Sequence, residues 1–84
     1  MMDLTEVTFV KRIVVGSENP ERLKRPEEVE EAMRLVNRCL SDVPKGRIIG
    51  LERTFSLLNI SGHQIVLECV IYHIGFTRRP AWLD

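Results

Sequence analysis

Residues 65–76 are the feature of this 84-residue chain that most constrains its fold, because they form its longest run of apolar, β-branched and aromatic residues. In a β-strand, successive side chains point to opposite faces of the sheet. Both faces of this segment are mainly apolar, with Ile65, Leu67, Cys69 and Ile71 on one and Val66, Val70, Tyr72, Ile74 and Phe76 on the other. This pattern is typical of a strand that has a neighbour at each edge and apolar cover on its faces. We therefore predict that 65–76 is the central strand of a sheet.

Length and charge limit the class of protein. A chain of 84 residues is long enough for one domain, 1–84, with a modest core. Twelve basic residues balance twelve acidic ones, which argues against a protein that binds nucleic acid or membrane surfaces non-specifically. The sequence contains neither a secretory signal nor an apolar run that could cross a bilayer. We therefore expect a cytoplasmic protein with no membrane association.

The rest of the chain predicts two further strands and one helix. Residues 7–15 and 48–59 alternate as strands do, and residues 26–41 have the apolar spacing of a helix that begins at Pro26. Asn19-Pro20 indicates a helical turn within the loop before the helix. Residues 77–84 are predicted to form an irregular tail, in which Trp82 and Leu83 pack on the domain or on a partner.

The order strand, helix, strand, strand predicts an α+β fold of the β-α-β-β type. Its antiparallel sheet has three strands in the order 1-3-2, which is half of a ferredoxin-like unit, and the helix lies on one face. Two hairpin registers are compatible with the sequence. A two-residue turn, Ser61-Gly62, sets Leu67 against Ser56 and mixes apolar with polar positions. A loop of three residues, 60–62, gives one continuous apolar face, so we favour it, although it places Arg53 opposite Cys69.

The helix is expected to cover the sheet face that carries Ile65, Leu67, Cys69 and Ile71. The opposite face then has no cover from this chain and forms an apolar patch larger than monomers usually expose. The interface candidates on it are Ile48, Val66, Val70, Tyr72, Ile74 and Phe76. Because a two-fold axis lets one patch bury itself, the leading interpretation is a non-catalytic binding or regulatory module that forms a homodimer through this face. An unidentified protein partner is an alternative occupant.

Two other functions are compatible with the same face. The first alternative is a single-stranded nucleic-acid-binding protein with aromatic residues that stack on bases. Its candidate residues are Arg12, Tyr72, Phe76, Arg78, Arg79 and Trp82. The second alternative is an enzyme subunit with a cleft at the dimer seam, around Glu68 and His73. Glu68 is otherwise expected to form an ion pair with Arg12 of the neighbouring strand.

No residue is assigned to a metal, a cofactor or a catalytic role. Cys69 and His73 are four residues apart on a strand, so their α-carbons are about 13 Å apart and cannot share one zinc ion without other ligands. The two cysteines, Cys39 and Cys69, are expected to be free buried thiols.

Overall fold

The computed structural model describes residues 3–19 and 22–83, which form one helix and a three-stranded antiparallel sheet. The elements, in chain order, are a 3-10 turn Leu4–Glu6, β1 Phe9–Gly16, α1 Pro26–Ser41, β2 Arg47–Ile60 and β3 His63–Phe76. The strand order is β1-β3-β2, so the predicted α+β fold and its 1-3-2 sheet are confirmed. Of the predicted turn at Asn19-Pro20, Pro20 lies outside the described residues, as does Asp84 of the predicted tail.

Local signals in the sequence set the bounds of α1. Pro26 occupies the first turn, where its missing N–H costs no helical hydrogen bond, and Glu27 and Glu28 add negative charge at the positive end of the helix dipole. Val36 and Cys39 on the inner side of the helix are buried. The helix therefore has the predicted bounds, 26–41.

α1 packs on the face of the sheet that was expected to be open. Ile74 and Phe76 of β3 are 0% exposed and belong to the core beneath α1. The register explains why: Phe9 lies opposite Phe76 and Ile13 opposite Tyr72, so the apolar face of β1 continues this face of β3. The other buried members of the core are Ile13, Val15, Val36, Cys39 and Leu83.

The prediction that α1 covers Ile65, Leu67, Cys69 and Ile71 was therefore wrong. Cys69 and Ile71 are nevertheless buried on the opposite face, whereas Ile65 is 41% exposed. Val7 contributes to the cover on that opposite face, because a Cβ built on Gly75 would lie 3.1 Å from its methyl groups. Both faces of the β1 end of β3 are thus covered, which agrees with the two apolar faces of its sequence.

The β2–β3 hairpin has the two-residue turn, so the prediction of a three-residue loop was also wrong. Ser61 and Gly62 have φ angles of 50° and 81°, as in a type I′ turn, whose twist matches that of the flanking strands. Leu67 consequently lies opposite Ser56. The preference for this turn geometry outweighs the continuous apolar face that a three-residue loop would give. As a result, apolar side chains lie on both faces of the hairpin.

The C-terminal segment is held against the domain. Residues 77–83 form no helix or strand, yet Pro80 and Leu83 are buried. The Arg38 guanidinium carbon of α1 lies 4.2 Å from the ring centroid of Trp82, within the range of a cation–π contact. The prediction that Trp82 and Leu83 pack on the domain or on a partner is confirmed for the domain.

Candidate interaction surface

Part of the hairpin projects beyond the third strand as a two-stranded ribbon. β1 ends at Gly16, which lies opposite Cys69, so among the described residues β2 is the only strand that pairs with the rest of β3. We call residues 55–60 of β2 and 63–68 of β3 the ribbon. None of its residues is buried, and the molecule extends 49 Å along its longest axis.

The ribbon is apolar on both faces. On the side that also carries α1, Phe55 is 63%, Leu57 is 65% and Val66 is 59% exposed. The opposite face carries Leu58, Ile60, Ile65 and Leu67. A two-stranded hairpin alone is marginally stable in water, and stability usually requires a third strand or a packed face. The ribbon has neither among the described residues.

One ion pair crosses the base of the ribbon. Arg53 Nε lies 3.5 Å from Glu68 Oε1, and both side chains are at least half exposed. Arg53 lies opposite Val70 rather than the predicted Cys69, because of the shorter turn. The predicted Arg12–Glu68 pair was also wrong: Arg12 pairs with Glu18 at 3.4 Å, and it projects from the other face of the sheet.

The predicted interface residues divide into two groups. Ile74 and Phe76 lie in the core, so the prediction that they line an open face was wrong. Ile48 is 47% and Val66 is 59% exposed. Val70 and Tyr72 are partly buried.

The sequence interpretation missed three exposed residues, Leu51, Phe55 and Leu57, on the α1 side of β2. Their alternation signalled an apolar face. The sequence interpretation placed this face under the helix. The structure also puts it on the α1 side, but α1 leaves these three side chains exposed.

The nucleic-acid candidates do not form one stacking platform. Phe76 is fully buried, so the prediction that it stacks on bases was wrong. Tyr72 lies on the α1 side of β3, whereas Arg12 projects from the opposite face. Trp82 is in contact with Arg38. Arg79 Nη2 donates a hydrogen bond to the Leu83 carbonyl at 3.4 Å, and Arg78 is exposed.

The polar candidates for chemistry are also separated. Glu68 and His73 project from opposite faces of β3, because they are an odd number of residues apart on the same strand. His73 Nε2 lies 2.7 Å from Glu52 Oε1. Among the described residues, no three His, Cys, Asp or Glu side chains are grouped as metal ligands would be. Cys39 and Cys69 are free and buried, and burial raises the pKa of the Cys39 thiol.

These features define a small α+β protein with an open sheet and an exposed apolar ribbon. In the part of the chain that the structure describes, none of the helical segments is long and apolar enough to span a membrane. Comparisons with protein-family models, with curated proteins and with solved structures found no match to this chain.

Proposed function

We propose that this chain is a small cytoplasmic binding module, without catalysis of its own, that works as a homodimer joined through the ribbon. The observation that carries the proposal is the exposure of Phe55, Leu57 and Val66 on the ribbon, which has no buried residue. Contiguous apolar patches on a soluble monomer usually mark an interaction site. The ribbon replaces the face that the sequence alone indicated.

A second copy is the partner that the charge and symmetry favour. The formal net charge is zero, so repulsion between copies is weak. A two-fold axis brings the same surface of both copies into contact, so a single apolar patch serves both partners. A domain of this size also has a limited core, and association would add buried apolar area.

The test is the absolute mass in solution, measured by light scattering after size exclusion over a range of protein concentrations. We expect twice the chain mass of 9.7 kDa at the higher concentrations. Leu57→Lys should shift the protein toward the monomer by at least about tenfold in dissociation constant, because it places a charge in the apolar contact. Leu4→Lys is the matched control, since Leu4 is 69% exposed but lies in the N-terminal turn.

A wild-type protein that stays monomeric at all concentrations would overturn the homodimer. Equal weakening by Leu57→Lys and Leu4→Lys would overturn the assignment of the interface to the ribbon.

A further inference from the structure

The outer edge of β2 offers a long row of backbone hydrogen-bonding groups. β2 is an edge strand of 14 residues, and its pairing with β3 is continuous from Gly50 to Ile60. The hydrogen bond that closes a two-residue turn joins Ile60 to His63, so the backbone groups of Ile60 point toward β3. The backbone N–H and C=O groups of successive residues point to alternate sides of a strand, so those of the odd-numbered residues of β2 point away from β3. These residues are Leu51, Arg53, Phe55, Leu57 and Asn59.

This edge has few of the features that normally prevent strands from pairing between molecules. Edge strands are usually short, or carry lysine, proline or a bulge. β2 contains no lysine or proline, and its one irregularity lies between Ile48 and Gly50, near its start. The charge of Arg53 is partly neutralised by Glu68 on the sheet face. The other edge strand, β1, has eight residues and carries Lys11 and Arg12 near its middle.

We propose that β2 pairs antiparallel with β2 of a second copy about a two-fold axis at Thr54, which joins the two sheets into one of six strands. This inference rests on the proposed homodimer and specifies its geometry: the copies meet along the outer edge of β2, which includes Phe55 and Leu57 of the ribbon, and the faces of the two ribbons lie side by side. Leu51 then faces Leu57 of the second copy, and the reverse pair follows by symmetry. Backbone hydrogen bonds then form between the two β2 strands at four residue pairs. Two of them join residue 51 to 57 and residue 53 to 55 of the second copy, and the other two are their symmetry equivalents.

The side chains favour this register over the symmetric registers with axes at residues 52, 53 and 55. Side chains of directly opposite residues in adjacent strands point to the same face of the sheet. A two-fold axis perpendicular to the sheet must therefore set one residue directly opposite its own copy. An axis at Glu52 or Arg53 places like charges directly opposite each other, which is destabilising. An axis at Phe55 opposes Glu52 to a leucine. The axis at Thr54 opposes two threonines, a favourable cross-strand pair.

The pairing also sets the two exposed apolar patches side by side. Phe55 and Leu57 project from the α1 side of each sheet. They lie on β2, and the two copies of β2 are next to each other at the two-fold axis. The two α1 helices lie on the same side of the joined sheet, because an axis perpendicular to a sheet preserves its faces. The combined patch is therefore flanked by one helix from each copy.

A symmetric disulfide tests the register. The backbone groups of Thr54 point toward β3, so the two copies of Thr54 form a non-hydrogen-bonded pair with α-carbons about 4.5 Å apart. This distance is within the range that a disulfide spans. Ser56 lies on the same face, but its two copies are about 13 Å apart in this register. Thr54→Cys and Ser56→Cys are thus a matched pair.

Both substitutions are made together with Cys69→Ala, because Cys69 lies opposite Thr54 within the chain and could compete for the new thiol. Under mild oxidation, Thr54→Cys should form a covalent dimer at least about tenfold faster than Ser56→Cys. Light scattering on the reduced variants establishes whether the non-covalent dimer is present.

A dimer in which Ser56→Cys cross-links as fast as Thr54→Cys, or in which neither does, would overturn the Thr54 register but leave the homodimer standing. Monomers of both reduced variants and of the wild type would overturn both proposals.

Discussion

Gly16 lies opposite Cys69 and marks the point where the sheet narrows from three strands to two. A Cβ built on Gly16, whose φ is 108°, would lie 2.6 Å from the Glu68 carbonyl oxygen. Close approach of the two backbones therefore requires glycine at this position. Everything on β3 before Cys69 belongs to the ribbon, where the exposed apolar side chains are concentrated.

Hydrogen exchange should follow this boundary. The amides of Val66 and Tyr72 both point toward the β1 side of β3, but only Tyr72 has a β1 residue, Ile13, opposite it. We expect the Val66 amide to exchange at least about tenfold faster than that of Tyr72. Residue-resolved exchange measured by NMR would check this, and equal protection would contradict the boundary. Because the Val66 amide points away from the outer edge of β2, the result does not depend on the dimer.

The turn residues should differ in their tolerance of substitution. Gly62 has a φ of 81° and open space around it, so Gly62→Ala should cost about 1 kcal/mol through backbone strain alone. Ser61→Asn is the control and should keep or raise the stability, because Asn-Gly is a preferred type I′ turn. Urea unfolding monitored by circular dichroism measures both. Equal midpoints for the two variants would argue against the two-residue turn.

Two glycines near the start of β2 provide a test of core packing. A Cβ on Gly46 would lie 2.5 Å from Ile74 Cγ2 and 2.8 Å from Phe76 Cε1. Gly46→Ala should therefore lower the free energy of unfolding by about 1–3 kcal/mol through overpacking. At Gly50 the nearest atom would be 3.5 Å away, so Gly50→Ala should change stability by less than about 0.5 kcal/mol. A smaller effect at Gly46 than at Gly50 would contradict the position of these side chains.

The buried thiol of Cys39 should make stability depend on pH in the alkaline range. Burial raises the pKa of Cys39, so the folded protein holds the proton at pH values where the unfolded chain loses it. Its contribution is fully present below the ordinary thiol pKa of about 8.5 and is lost as the pH rises through the folded-state pKa. We expect the wild-type protein to lose more stability than Cys39→Ala between about pH 8 and pH 10. Parallel pH profiles in urea unfolding would contradict this.

Signals confined to a few neighbouring residues predicted part of the fold well. The bounds of α1 depend on Pro26, the glutamates that follow it and the spacing of its apolar residues, and all of these are local. The central position of β3 follows from its two apolar faces, since edge strands seldom need cover on both. These features identified the fold class and strand order before any contact was known.

The register and the covered face required the tertiary structure. Apolar alternation has a period of two, so a shift of one residue exchanges the faces and leaves an equally regular pattern. The type I′ turn at Ser61-Gly62 fixed the register of β2, and Phe9 opposite Phe76 fixed which face of β1 joins the core. The candidate site moved with them, from Ile74 and Phe76 to the ribbon.

The sequence by itself thus determined the helix, the three strands and their order, because the proline at the helix start, apolar periodicity and two-sided apolarity are properties of short segments. Only the tertiary structure decided which face α1 covers and that the ribbon stays exposed. The physical reason is that both depend on how distant segments align. The hand of the crossover from β1 through α1 to β2 selects the face that α1 covers. The end of β1 at Gly16 leaves the rest of β3 paired with β2 alone in the part of the chain that the structure describes.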